Sequence, residues 1–268
     1  MLAIQRSPNP SVNRVPEVTV EFWLIKLMAV TMGETAADYL AVNMGFGLSA
    51  TSALMVGVLC IALVIQFSKK RYVPWAYWLA VVLISVVGTL VTDNLSDNFG
   101  VPLETSTILF TVLLAATFAV WYALERTLSI HTIFTTRREA LYWLAILFTF
   151  ALGTASGDLV AERFEVGYLT TGLLFGAVIA LVAAAHYLLK LNAILAFWLA
   201  YIFTRPLGAS FGDLLSQPME YGGLGLGTTY TSLLFLTAIV LIVMWITIQR
   251  GRNEDGAVEP EPEPIGPT

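Results

Sequence analysis

Four aspartates occupy the same place in a repeated pattern of residues. In each copy, a tryptophan is followed ten residues later by a glycine, and five residues after that by the aspartate. The four sets are Trp23–Gly33–Asp38, Trp78–Gly88–Asp93, Trp143–Gly153–Asp158 and Trp198–Gly208–Asp213. Each set lies in a stretch apolar enough to cross a bilayer, where ionisable side chains are costly and usually functional. Carboxylates repeated in such positions suggest that the protein binds a cation or exchanges protons.

Further oxygen-bearing side chains accompany these aspartates. Eleven residues past each tryptophan stand Glu34, Thr89, Thr154 and Ala209. Asp97 follows Asp93 by four residues and Glu162 follows Asp158 by four, so each pair shares a helix face. Like charges without enough counter-charge must take up protons, bind cations or face water. The residues that we predict to bind ions or exchange protons are Asp38, Asp93, Asp158, Asp213, Glu34, Thr89, Thr154, Asp97 and Glu162.

The ligand types also limit the ion. Oxygen ligands without Cys or His favour a hard cation, so a divalent ion would be Mn, Mg or Ca. No covalently bound cofactor is expected. The single cysteine, Cys60, lies in an apolar run and can form no internal disulfide.

The remaining motif residues and two basic residues are expected to have structural roles. The tryptophans are expected to anchor the helices at the membrane interface, and the glycines to allow close helix packing. Lys26 lies about one turn from a helix end, so its side chain is expected to extend toward the interface. Arg205 lies near the middle of its span and needs an internal charge partner, for which Asp213, two turns further along, is a candidate.

The composition indicates an integral membrane protein. Hydrophobic residues make up 57% of the 268 residues, charged residues 12%, and the mean hydropathy is +0.76. A transmembrane helix needs roughly 20 apolar residues to cross ~30 Å of hydrocarbon. Such stretches lie at 18–40, 48–67, 75–95, 104–124, 140–161, 168–189, 193–214 and 227–249. The sequence therefore predicts an all-α, polytopic fold with eight transmembrane helices.

Basic residues predict how these helices are oriented. With eight spans, one side of the membrane holds Arg6, Arg14, Lys69, Lys70, Arg71, Arg126, Arg137, Arg138, Lys190, Arg250 and Arg252. The other side holds Arg163. Cytoplasmic loops are enriched in Lys and Arg, so both termini are expected in the cytoplasm. No cleaved signal peptide is apparent. The predicted location is the bacterial cytoplasmic (inner) membrane.

The tryptophan spacing predicts a nested duplication. The tryptophans lie 55, 65 and 55 residues apart, so a two-helix unit was duplicated to four helices and then to eight. Each unit has an even number of spans, so all four run parallel. The expected organisation is a cytoplasmic arm at 1–16, a transmembrane domain at 17–250 and a disordered acidic, proline-rich tail at 251–268. The repeats span about 17–73, 74–138, 139–191 and 192–250.

The chain resembles a bacterial family of membrane proteins built from four tandem copies of a repeat of unknown function. The four tryptophans, the glycine–aspartate pairs and the opening Val15-Pro16-Glu17-Val18-Thr19 carry this resemblance over residues 17–250. The resemblance implies two transmembrane segments for each repeat, and it brings no settled activity.

Several functions are compatible with the pattern. The leading hypothesis is a secondary transporter or permease for a hard cation, of the Mn, Mg or Ca type or coupled to protons. The alternatives are an intramembrane aspartyl-type hydrolase, suggested by Gly157-Asp158 and Gly212-Asp213, and a non-catalytic sensor or membrane-organising protein. A further alternative is that the aspartates cap broken helices. The expected partners are the lipid bilayer and a small cation or proton, with no nucleic acid and no enzymatic activity; the sequence leaves the oligomeric state open.

Overall fold

The computed structural model describes residues 13–256, with side chains to residue 252. Over this range the chain forms helices and no strand. The eight long helices are α1 (Val20–Asp38), α2 (Leu48–Ser68), α3 (Pro74–Asp93), α4 (Leu103–Glu125), α5 (Thr136–Asp158), α6 (Tyr168–Leu189), α7 (Ala193–Ser216) and α8 (Thr228–Gly256). The expected all-α fold with eight helices is therefore confirmed.

Seven of these helices, α2 to α8, are long and apolar enough to cross a membrane within the described range. The remaining helix, α1, carries Glu21, Lys26, Glu34 and Asp38. It packs against α3, α7 and α8, and twelve of its residues are buried. Other helices therefore shield its buried charged side chains, Lys26 and Glu34, from lipid, as buried charges in a membrane require.

The odd-numbered and even-numbered helices form two layers. α1 and α5 each pack against both α3 and α7, so the four motif helices close into an inner ring. The even-numbered helices lie outside this ring. Burial follows this division. In α3, 83% of the most apolar 18-residue stretch is buried, but in α6 only 11% of the corresponding stretch is buried. The outer helices therefore present most of their surface to lipid.

Each outer helix packs mainly on the ring helix of the next repeat. α2 packs against α3, α4 against α5, α6 against α7, and α8 closes the circle against α1. The repeats are therefore interlocked around one axis, and no repeat forms a separate unit.

The motif glycines lie where neighbouring ring helices touch. Each one meets the residue seven positions past the tryptophan of the adjacent repeat. The four contacts are Gly33 with Ser85, Gly88 with Phe150, Gly153 with Arg205, and Gly208 with Val30. A Cβ atom on Gly88 would lie 2.7 Å from the Cβ of Phe150 and 3.3 Å from the backbone nitrogen of Ala151. The missing side chains therefore set how closely the ring can pack.

Three ring helices widen immediately after the motif aspartate. α1, α3 and α5 continue as five-residue π-helices at Tyr39–Asn43, Asn94–Asn98 and Leu159–Arg163. Their backbone bonds include Met44 N to Tyr39 O at 2.9 Å and Phe99 N to Asn94 O at 3.0 Å. α7 instead remains α-helical to Ser216. The sequence pattern did not predict these π turns, which are rare and often occur at functional sites.

The two ends differ from the expected boundaries. Asn13 and Val15 of the predicted arm are buried, and the Arg14 backbone nitrogen donates to the carbonyl of Ile133 at 3.1 Å. At the other end, α8 continues to Gly256, past the expected boundary at 250. The rest of the predicted arm and tail, residues 1–12 and 257–268, lies outside the described residues.

A methyl group added at a ring glycine should separate two ring helices. We expect Gly88→Ala to destabilise the protein by about 1–3 kcal/mol, the usual cost of overpacking a tight contact. Gly57→Ala is the matched control, because Gly57 lies in α2 with no atom within 4 Å of an added Cβ. Gly57→Ala should be neutral or slightly stabilising, since alanine favours helix. Melting of both purified variants tests this, and equal melting temperatures would contradict the packing role of Gly88.

Candidate ion-binding site on the ring axis

The tryptophan end of the ring is closed by aromatic side chains from all four ring helices. Phe22, Tyr77, Tyr142 and Phe197 each precede a motif tryptophan by one residue. The Tyr77 and Tyr142 hydroxyls lie 2.5 Å apart, and the Phe22 ring lies 6.1 Å from the Phe197 ring. We call these four residues, with the motif tryptophans and Tyr201, the aromatic plug.

The position of three motif tryptophans differs from the expected one. Trp78, Trp143 and Trp198 are at most 4% exposed, so they do not anchor the helices in lipid headgroups. Their indole nitrogens donate to the Tyr72 hydroxyl at 3.2 Å, a Glu139 carboxylate oxygen at 3.4 Å and the Leu128 carbonyl at 2.9 Å, respectively. Trp23 is half-buried and packs against Phe22 and Phe197. Because the ring is closed, the tryptophan face points inward rather than toward lipid.

Lys26 also lies elsewhere than expected. Its side chain is completely buried, and Nζ donates to the carbonyl of Tyr201 at 2.6 Å and to the hydroxyl of Thr204. Nζ also lies 3.9 Å from the centroid of the Tyr201 ring. The side chain therefore joins α1 to α7 and does not extend to the interface.

A polar ring lies further along the axis, at the level of Arg205. The Arg205 Nη2 atom lies 2.8 Å from Glu34 Oε2 and donates to Thr154 Oγ1 at 2.7 Å and to Thr89 Oγ1. Thr89 Oγ1 in turn donates to Glu34 Oε2 at 3.0 Å. These four residues, one from each ring helix, are buried and are called the polar ring below.

The charge partner of Arg205 is therefore Glu34, and the prediction that Asp213 is its partner is wrong. Asp213 lies on the same helix as Arg205, about 12 Å further along the axis by helical rise. Glu34 lies on the adjacent helix, where Gly153 on the other side admits the base of the Arg205 side chain. Arg205 is the only charged residue at this position of the motif, since the equivalent residues in the other repeats are Val30, Ser85 and Phe150.

The four motif aspartates converge at the opposite end of the ring from the plug. Each aspartate stands fifteen residues past the motif tryptophan on one of the four ring helices, which run parallel and pack against one another. Asp38, Asp93 and Asp158 are half-buried, whereas Asp213 is 8% exposed. We call these four residues the acidic chamber. The closed ring of parallel helices therefore places all four aspartates at the same end of one axis.

The aspartates do not serve as helix caps at the π turns. Asp38, Asp93 and Asp158 each precede a π-helix directly, yet none of their side chains bonds to its backbone amides. Asp38 Oδ2 instead accepts from Gln217 Nε2 at 3.4 Å. The capping role, which the sequence left open, is therefore not observed for these three residues.

The remaining predicted carboxylates lie at the rim of the chamber. Asp97 and Glu162 are exposed, and each interacts electrostatically with chamber residues. Arg163 pairs with Glu104 at 3.1 Å on the exposed surface. Among the described side chains, no three His, Cys, Asp or Glu residues form a group that could hold a metal ion. The expected Mn, Mg or Ca ion therefore remains a prediction.

One buried carboxylate at the tryptophan end was missed by the sequence analysis. Glu139 is fully buried; it pairs with Arg14 at 2.7 Å and accepts from Gln66 Nε2 at 2.9 Å. It lies four residues before Trp143, and this shared helix face was the available signal. Its contacts tie the N-terminal segment and α2 to α5, away from the acidic chamber.

The sequence model of a family described as Repeat of Unknown Function (DUF347) matches residues 22–72, 76–127, 141–192 and 196–252. The chain belongs to this family. Each match covers one ring helix and the outer helix that follows it, which confirms four tandem DUF347 repeats in a multi-pass membrane protein. No curated protein and no solved structure matches the chain.

Removing the carboxylate of the polar ring should be costly. We expect Glu34→Gln to destabilise the protein by about 3–5 kcal/mol, because it leaves the guanidinium of Arg205 buried without its counter-charge. Asp97→Asn is the control at the exposed rim, where changes usually stay within about 0.5 kcal/mol. Thermal melting of both variants is the measurement. A Glu34→Gln protein as stable as the control would show that the pair contributes little.

Proposed function

We propose that this membrane protein is a secondary permease for a small cation, and that the acidic chamber accepts the cation or an exchanging proton. The observation that carries this proposal is the placement of four aspartates, one from each ring helix, at the same end of one closed ring. Arg205 is paired with Glu34, so it leaves the chamber with excess negative charge. Carboxylates in that situation take up protons or bind cations.

The order of side chains along the ring axis supports an ion path whose two ends differ. The chamber is partly exposed, and the polar ring and the buried aromatic plug follow it along the axis. A cation entering from the aspartate end would meet carboxylates, then the Arg205 guanidinium, then the plug. Transport would therefore require the polar ring and the plug to open after the chamber is occupied.

The oxygen ligands of the chamber fit a hard cation, and carboxylates exchange protons readily. The proposed transport is secondary, because the chain contains no glycine-rich phosphate loop that would supply nucleotide-driven transport. The proposed coupling is to protons. Na⁺, K⁺, Mn²⁺, Mg²⁺ and Ca²⁺ are the candidate cargoes.

We propose that the protein lies in the bacterial cytoplasmic membrane with both termini and the tryptophan end inside. The support is the distribution of basic residues, with eleven on the side of the termini and one on the other. The aspartate end then faces outward.

Substituted cysteines should report this orientation. In a Cys60→Ser background, Glu220→Cys should react with a membrane-impermeant maleimide on intact cells, because Glu220 is an exposed residue between α7 and α8. Lys190→Cys, which is exposed between α6 and α7, should react only after permeabilisation. The reverse labelling pattern would place the chamber in the cytoplasm.

Loss of a chamber carboxylate should stop transport without unfolding the protein. We expect Asp158→Asn to reduce ion-driven proton flux into proteoliposomes by at least about tenfold, because the amide neither exchanges protons nor carries charge. A fluorescent pH indicator inside the vesicles reports the flux as each cation gradient is applied in turn.

Glu220→Gln is the matched control for this experiment, because it removes an exposed carboxylate outside the chamber. It should transport as the unchanged protein does. Unaltered flux in all four Asp→Asn variants would reject the permease. Cleavage of a membrane peptide that is lost in the same variants would favour the aspartyl-type hydrolase instead.

A further inference from the structure

Three oxygen atoms in the polar ring converge on a single nitrogen. Glu34 Oε2, Thr89 Oγ1 and Thr154 Oγ1 come from α1, α3 and α5, and all three contact Nη2 of Arg205 from α7. We propose that these oxygens form a binding site for a monovalent cation, which Arg205 occupies as a tethered ligand.

The hydrogen bonds of Arg205 indicate that its guanidinium occupies a binding site for a cation. They do not resemble those of a structural arginine, whose donors are all satisfied. Its side chain is completely buried, yet its Nε and Nη1 atoms have no hydrogen-bond partner among the described residues. All its polar contacts with the ring are made through Nη2. A buried arginine that serves only packing and stability usually has its donors satisfied.

The oxygens are also arranged independently of the arginine. Thr89 Oγ1 donates to Glu34 Oε2, and Thr154 Oγ1 donates to the carbonyl of Phe150 at 3.3 Å. Both hydroxyls therefore direct lone pairs toward the axis. One carboxylate and two hydroxyl oxygens are hard ligands that suit an alkali cation or a guanidinium ion.

The repeat pattern explains how the tethered ligand arises. The residue eleven positions past the motif tryptophan, position eleven, carries a side-chain oxygen in three repeats and is Ala209 in the fourth. The fourth repeat instead supplies a cation from position seven, Arg205. One repeat thus provides the charge that the other three coordinate.

This arrangement makes Arg205 a gate, a role that depends on the proposed permease activity, whereas the binding site itself does not. A cation arriving from the chamber must displace the guanidinium from Glu34. Asp158 already interacts electrostatically with Arg205, so it is an alternative partner for the released side chain. Occupation of the polar ring would then coincide with opening of the axis.

Chemical rescue tests the site. Arg205→Ala empties it, so the variant should melt at a lower temperature than the unchanged protein. Millimolar guanidinium chloride should then raise the melting temperature in a saturable way and recover most of the deficit, whereas equal choline chloride should not. The unchanged protein should show no such rise, because its own arginine fills the site.

Two further variants keep the test decisive. Arg205→Ala/Glu34→Gln should lose the rescue, because the ring then lacks its only carboxylate. If Arg205→Ala does not fold, Arg205→Met keeps the aliphatic part of the side chain and leaves the position of the guanidinium free, and NaCl should stabilise it in a saturable way that Glu34→Gln abolishes. Absence of a saturable effect, or an equal effect in the double variant, would overturn the proposal and leave a structural ion pair.

The same variants in proteoliposomes separate the site from the permease. Faster cation leak through Arg205→Met than through the unchanged protein would support the gate. Saturable rescue without any flux in either protein would support the binding site and overturn the permease.

Discussion

A charged side chain in the interior of a membrane protein must be neutralised by the protein, because lipid supplies neither water nor counter-ions. Arg205 meets this requirement through Glu34, Thr89 and Thr154, which reach it from three other helices. No single repeat could assemble these contacts. The closed ring of α1, α3, α5 and α7 brings them together, and the outer helices shield the ring from lipid. Neutralising this one guanidinium group therefore requires all four repeats.

Duplication explains why some motif positions remained alike and others diverged. The glycines are identical in all four repeats because each lies against a neighbouring ring helix, where an added methyl group would lie within 2.7 Å of a side-chain atom. The aspartates are identical too, and they lie at one end of the ring axis. The residues seven and eleven positions past each tryptophan differ between repeats, and the polar ring takes Arg205 from the first set and Glu34, Thr89 and Thr154 from the second. The symmetric part of the motif thus builds the frame, and the asymmetric part determines the charge at its centre.

The two ends of the ring axis have opposite character. Aromatic side chains from four helices fill the tryptophan end, whereas carboxylates and three π turns occupy the aspartate end. A π turn widens the helix just past each of three aspartates, at the mouth of the chamber. The proposed permease would use this difference to receive a cation at the aspartate end of the axis.

Hydropathy and spacing were enough to predict eight helices, four parallel repeats and the same depth along their helices for Asp38, Asp93, Asp158 and Asp213, because these are local and periodic properties of the chain. The sequence left open whether these four aspartates meet on one axis. The role of Arg205 was predicted only in part: its need for a partner was clear, but Glu34 replaced the expected Asp213. Trp78 and Lys26 were expected near lipid and are buried, since hydropathy does not show which helix face will point into a ring.

The sequence by itself determined which segments are helical and what each motif carries. Only the tertiary structure decided the order of the helices around the ring, the packing of each outer helix on the next repeat, and the partners of the buried charges. Those partners come from distant parts of the chain: Arg205 and Thr89 are 116 residues apart, and Lys26 and Tyr201 are 175 apart. Contacts between helices depend on which helix faces pack against each other, and a local pattern of residues does not specify that packing.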